Sequence, residues 1–417
     1  MMRSMKLVLF FCYLLVAAAG YLLRSLNLRH LKLHGAEVPA GFAGAVDGET
    51  LARTSAYTFE RSRVGLWESL ADDMLVIGFL FGGLLGIYDR WMTTLSGSFV
   101  TGGVLFFLGL SLAETVIGIP FSLYTTFRIE NRYGFNTMTR KLWLTDLVKS
   151  TLIGAVLTAL LTSAALNIVK MSPHAWWLWA WGFFALVSLF FIYLSPYVIE
   201  PLFNKFEPIR AEGLEDEIRA LMEKAGLSVS RILQVDASRR SRHSNAYFTG
   251  IGRVKRIVLY DTLLEQMSHD EILAVLAHEV GHWKKGHIWK RLAGMEAAGL
   301  VVFYAAFSLL TWGGVPGLLG LPQASFAAQT VVLAFLGSLA AFPFTPIGNW
   351  LSRRHEREAD RFACELTGRP ESLASALIKL SRENLANLHP HHLYARFYYS
   401  HPPVVERVRE LREKTET

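Results

Sequence analysis

The sequence predicts a mainly α-helical, polytopic membrane protein of about seven spanning helices, joined to a polar domain with a small β-sheet. Three observations predict it. Apolar residues make up 52% of the 417-residue chain and are concentrated in seven blocks. Most blocks approach the roughly 20 apolar residues that a helix needs to cross a hydrocarbon layer of about 30 Å. If all seven span, every one of the 42 Lys and Arg residues except Arg3, Lys6, Arg90 and Lys170 falls on one side. Cytoplasmic loops show that asymmetry, although the longest loops count for less. The remaining polar sequence lies in two stretches, 200–291 and 351–417, both on the basic side.

The first block, Leu7 to Leu23, follows Arg3 and Lys6 and contains Ala17-Ala-Ala-Gly20. It reads as a span, with a signal peptide as the alternative. The second, Met74 to Tyr88, is short and rich in glycine, so its ends are ill defined. The third, Phe99 to Phe121, contains Glu114. A carboxylate inside a membrane faces water or a partner, so Glu114 reads as lining an internal cavity unless the span ends before it. Thr151 to Val169 and Trp176 to Val198 follow, and Trp176, Trp177, Trp179 and Trp181 mark a membrane interface rather than a ligand cage. The last two blocks are Leu292 to Trp312 and Phe326 to Trp350. The expected division is 1–199 for spans one to five, 200–291 for a polar domain, 292–350 for spans six and seven, and 351–417 for the rest of that domain.

The net charge of +7 therefore reads as topology. It implies a lipid bilayer as partner and no nucleic acid. Cys12 and Cys364 form no disulfide framework and no CxxC pair.

Within 200–291, Glu212 to Ala225 has the pattern of an amphipathic helix. Ile232 to Val235, Ala246 to Gly250 and Lys255 to Tyr260 read as short strands, the last two joined around Gly250-Ile-Gly252. Ser268-His-Asp-Glu271 is a capping box, and the helix it opens should run through His282 to about Lys290. Leu351 to Thr367 reads as a helix ending at Gly368-Arg-Pro370, followed by helices from Ser372 to about Asn387 and from Pro403 to Glu413.

His278-Glu-Val-Gly-His282 carries the chemistry. Spacing of i, i+4 puts both imidazoles on one helix face, where they can bind a single Zn2+ at about 2.0–2.1 Å. Glu279, offset around the helix, can reach a water at the metal. A solvated helix with two incidental histidines is the bland alternative. His287, five residues on, falls off the ligand face and reads as a helix-end histidine. Catalytic zinc takes three protein ligands and leaves a fourth position open. Candidates for the third sit in Ser352-Arg-Arg-His355-Glu356-Arg-Glu358-Ala-Asp360. Glu356 could ligate while Asp360, four residues on, accepts a hydrogen bond from a ligand imidazole. His355 and Glu358 are rivals, and a salt-laced surface helix is the alternative for the whole stretch. Two spans separate the motifs, so both lie on one side.

The sequence resembles the integral-membrane CAAX prenyl endopeptidases along nearly its whole length. The residues that carry the resemblance include Val38-Pro-Ala-Gly-Phe42, Arg53 to Arg63, Ile129-Glu-Asn-Arg-Tyr-Gly-Phe-Asn136 and Pro201-Leu-Phe-Asn-Lys-Phe206. Ser244-Asn-Ala-Tyr-Phe248, Arg256 to Leu264, the HExxH, Ser352 to Ala363 and Ser400-His-Pro-Pro403 complete it. The resemblance implies Glu356 as third zinc ligand and seven helices enclosing a large intramembrane chamber closed by a cytosolic catalytic domain. It also implies that Asn245 holds the substrate backbone by strand addition. His401 and Arg407 are implied to stabilise the oxyanion.

The expected activity is zinc-dependent endopeptidase cleavage of a peptide or protein, with Glu279 as general base. Prenylation of the substrate at a C-terminal CAAX cysteine follows from the resemblance alone. The alternatives are a quality-control metalloprotease without prenyl selectivity, and a transporter or scaffold with structural zinc. An intramembrane-cleaving protease is disfavoured by Trp283-Lys-Lys-Gly-His287 directly after the motif. Endoplasmic reticulum and bacterial inner membrane both satisfy the charge pattern.

Overall fold

The computed structural model describes residues 2–249, 254–321 and 323–413. Its membrane half begins with α1 (Met2–His34), which runs well past the apolar block that starts it. Asp47 accepts a hydrogen bond from the Thr50 amide and opens α2 (Gly48–Val76). A π-helical turn at Ile77–Phe81 ends at Gly82 and Gly83, the latter with φ near +88°. The chain then bends by 68° into α3 (Leu84–Leu95). The second apolar block is thus not a short span: it is the broken middle of a long bent pair. Glycine explains the break, since a Cβ on Gly82 would lie 2.5 Å from the Gly78 carbonyl oxygen.

Next come α4 (Phe99–Tyr124), continued by a π-helical stretch to Glu130, then α5 (Arg140–Met171) and α6 (Trp176–Val198). Among the described residues, six helices are long and apolar enough to cross a membrane, and counting the bent pair as one span gives seven. Glu114 lines a cavity of about 910 Å³ between helices, together with Glu68, Asp72, Trp143 and Phe335.

The polar half follows the short α7 (Glu200–Phe203). It contains β1 (Phe206–Pro208), α8 (Leu214–Lys224), β2 (Ser228–Val235), β3 (Ala246–Thr249) and β4 (Val254–Tyr260). The sheet order is β1-β2-β4-β3, with β2 and β4 parallel and the outer pairs antiparallel. β1 is too short to show alternation in the sequence, and the turn expected around Gly250-Ile-Gly252 lies outside the described residues. Then come α9 (Asp261–Gln266) and α10 (His269–Lys284). The expected continuation of α10 to Lys290 is wrong. Gly286 takes a left-handed φ of +68°, and a new helix, α11 (His287–Trp312), starts after it.

The short α12 (Val315–Leu318) leads to α13 (Phe326–Ala341). A tight turn at Phe342–Phe344 joins α13 to α14 (Thr345–Thr367), so one 42-residue helical stretch carries both the last span and the candidate third ligand. The chain ends with α15 (Pro370–Glu383), α16 (His392–Tyr398) and α17 (Val404–Glu413). The core of the polar half joins Ile218, Ile257, Leu276, Ala363 and Val408. Phe42 from the α1–α2 loop is fully buried in the same cluster. Burying such a side chain contributes about 1.5–3 kcal/mol, which fastens the first loop to the polar half.

Candidate metal centre

The capping box opens α10 as expected: the Ser268 hydroxyl accepts from the Glu271 amide and Glu271 accepts from the Ser268 amide. Glu271 also accepts from Lys379 and Ser375 of α15, at 2.7 and 2.6 Å. This fixes the start of the helix that presents His278 and His282. α10 then crosses α14 very closely. A Cβ on Gly281 would lie 2.9 Å from the Ala359 Cα and 3.0 Å from its carbonyl oxygen, so only glycine permits the crossing.

That approach gathers three ligand atoms. The Nε2 atoms of His278 and His282 are 3.2 Å apart. Glu356 places its carboxylate oxygens 3.3 Å from the first and 3.2 Å from the second. Bonds of about 2.0–2.1 Å to a tetrahedral zinc put ligand atoms about 3.3–3.4 Å apart, which is the spacing seen. Glu356 Oε2 is moreover buried without a hydrogen-bond partner, as a metal-directed oxygen would be. The donor set therefore fits zinc, and among the described residues it is the one such group of three. The rival ligands are turned elsewhere. The His355 ring stacks on His287 at 4.1 Å, and Glu358 accepts from His287 and Arg354.

Two chains of contacts orient the imidazoles from behind. His278 Nδ1 lies 2.7 Å from Asp360 Oδ1, and Arg407 donates to both oxygens of Asp360 at 2.6 and 2.9 Å. On the other side, His282 Nδ1 is 3.0 Å from His287 Nδ1, whose Nε2 is 3.1 Å from Glu358. His287 is thus a neighbour of the centre that the sequence reading missed. Its offset from His282 within one helix pointed it away, and the break at Gly286 turns it back. Gly281 was missed as well, because nothing in one sequence says which glycine a second helix will approach.

Glu279 lies beside the group. Burial pushes its carboxyl above the ordinary range, while His278 and His282 pull it down. His401 Nε2 is 3.3 Å from Glu356 and its ring remains 61% exposed; Arg407 Nη1 is 3.7 Å from the same carboxylate. Asn245 is exposed at the entry to β3, the edge strand packed on α10. Its carbonyl accepts from the Tyr260 amide. The residues ahead of it are anchored to the membrane half, with Arg240 on Asp146 of α5 and the His243 ring stacked on Phe135.

Comparisons with known proteins agree with this arrangement. Residues 27–205 match the family described as CAAX prenyl protease N-terminal, five membrane helices. Residues 208–415 match peptidase family M48. The chain is 33% identical over 408 residues to the CAAX prenyl protease 1 homolog of Arabidopsis thaliana, covering 93% of each chain. It is 31% identical over 441 residues to the Homo sapiens homolog, covering 90% of this chain and 88% of that one. Its fold matches the crystal structure of S. mikatae Ste24p with a TM-score of 0.90 at 28% identity, covering 98% of this chain and 99% of the other. The chain belongs to peptidase family M48, as a multi-pass membrane zinc endopeptidase of the CAAX prenyl protease type.

Proposed function

We propose that this chain cleaves proteins prenylated at a C-terminal CAAX cysteine, using one Zn2+ held by His278, His282 and Glu356, with Glu279 as general base. The convergence of three ligand atoms beside the half-buried Glu279 carboxylate carries the reading. When bound, the ion lowers the pKa of a water toward about 7 and polarises the scissile carbonyl. Glu279, its carboxyl pushed up by burial, accepts the proton of the attacking water and passes it to the leaving amine. Asp360 holds His278 in its tautomer through Nδ1. His401 and Arg407, both beside Glu356, face the position where the oxyanion develops. The substrate pairs as an added strand with the β3 edge, where Asn245 holds its backbone.

In this reading residues 1–199 and 292–350 form the membrane body, and 200–291 with 351–417 form the catalytic domain on the cytosolic side. The basic asymmetry of the loops supports that orientation, and the membrane is that of the endoplasmic reticulum or the bacterial inner membrane. The cavity beside Glu114 belongs to the intramembrane chamber. The test is cleavage of an isoprenylated CAAX peptide and its unprenylated twin by detergent-purified protein, with and without a zinc chelator. Chelator-sensitive cleavage of the prenylated peptide alone is expected. Equal cleavage of both discards prenyl selectivity in favour of a quality-control protease. No cleavage by zinc-loaded protein overturns the enzymatic reading.

A further inference from the structure

Five of the thirteen histidines meet outside the centre described above. His30 and His34 occupy the last turns of α1, His389 and His391 lie between α15 and α16, and His392 opens α16. His30 is central. Its ring centroid is 4.5 Å from that of His34 and 5.6 Å from that of His391, and His391 is 4.5 Å from His392. His389 joins them at Glu37, the residue that His34 also contacts. For comparison, the centroids of His278 and His282 are 4.8 Å apart. His30 and His34 share the i, i+4 spacing that lets two helical imidazoles face one ion.

The hydrogen bonds around this cluster give it direction. His34 Nδ1 is 3.1 Å from the Glu37 carboxylate, and His389 Nε2 is 2.8 Å from the Glu37 carbonyl oxygen. With these oxygens as acceptors, the neutral imidazoles would offer His34 Nε2 and His389 Nδ1 to an ion. A carboxylate or carbonyl behind a histidine is the arrangement that supports metal ligands. His391 is engaged differently, since its Nδ1 accepts from the Leu393 amide as a helix cap. This cluster is wider than the one at His278, His282 and Glu356, which among the described residues alone has three ligand atoms within 4.8 Å. His34 is 42% exposed, so it can rotate toward its neighbours.

We propose that His30, His34 and His389 form a second transition-metal site, of the Zn2+, Ni2+ or Cu2+ class that imidazole ligands suit, which clamps the end of α1 to the polar half. The clamp adjoins α16, whose Ala395 carbonyl, with that of Tyr399 just beyond, is held by Arg353 of α14. The chain then runs directly to His401, so an ion at the clamp steadies the approach to the catalytic centre.

The test uses full-length protein without an affinity tag, equilibrated with Zn2+, desalted and analysed for metal per chain. Wild type should hold about two zinc ions, and both the triple variant His30→Asn, His34→Gln, His389→Gln and the double variant His278→Ala, His282→Ala about one. The double variant loaded with Cu2+ should show imidazole nitrogen coupling by electron paramagnetic resonance, which His34→Gln removes. The single His34→Gln change, at a half-exposed side chain, guards against a misfolded triple variant. Chelator-sensitive peptide cleavage should persist in both clamp variants, separating this site from the catalytic one. A single zinc that the double variant abolishes would overturn the proposal. So would a second zinc that survives the triple variant.

Discussion

Glu279 is the proposed general base, and its isosteric replacement isolates that role. Glu279→Gln keeps volume and burial but removes the base, so turnover should fall by about 10²–10⁴-fold with metal content unchanged. Full activity would remove Glu279 from the mechanism. His287 makes a subtler prediction. It holds His282 from behind at 3.0 Å, and loss of such a partner typically costs about 10–100-fold in metal affinity or activity. His287→Ala should therefore surrender zinc to a competing chelator at correspondingly lower concentration, and unchanged affinity would make the contact incidental. At this scale the sequence was unevenly legible. His278, Glu279 and His282 stand out by their spacing, although a solvated helix with incidental histidines shares it. The third ligand stayed open among Glu356, His355 and Glu358, because helical periodicity within Ser352–Asp360 does not say which side faces α10. The crossing at Gly281 and Ala359 decides that only Glu356 points inward.

Among the elements, α10 depends on the tie at its first turn. Burial pushes the Glu271 carboxyl up, but Lys379, Ser375 and the Ser268 amide more than offset this and hold it below its ordinary value of 4.5. A carboxyl depressed in the folded state stabilises fully above its unfolded pKa and loses that contribution as pH falls through the folded value. Thermal stability of the wild type should drop as pH is lowered from about 5 toward the folded value. Glu271→Gln, less stable at neutral pH by about 1–3 kcal/mol, should show a flatter profile. Parallel profiles would mean that the tie contributes no pH-dependent stability. The start of this helix was readable because a capping box is a local signal. Its end was not, because the apolar and charged pattern runs on through Gly286 and only the backbone reversal there separates α10 from α11.

For the whole molecule, the multi-pass helical architecture was the most legible property. Seven apolar blocks are a long-range statistic that survives errors at any single boundary. The bent α2–α3 pair escaped, since glycines in an apolar run signal a weakness without giving its angle. The burial of Phe42 in the catalytic core was equally invisible, because a loop residue's partners lie far away in sequence.

The unbroken passage from α13 into α14 has a consequence for the setting in which the enzyme works. Forty-two helical residues at about 1.5 Å each form a rod about 60 Å long. One end lies among acyl chains and the other carries Glu356. A span that is too long or too short for its bilayer adjusts by tilting, and a tilt at one end of a rod displaces the other. Lipid thickness thereby becomes an input to catalysis. Reconstituted into vesicles of increasing acyl length, the protein should show a turnover optimum at one thickness, while a flat response would mean that the turn at Phe342–Phe344 absorbs the tilt as a joint.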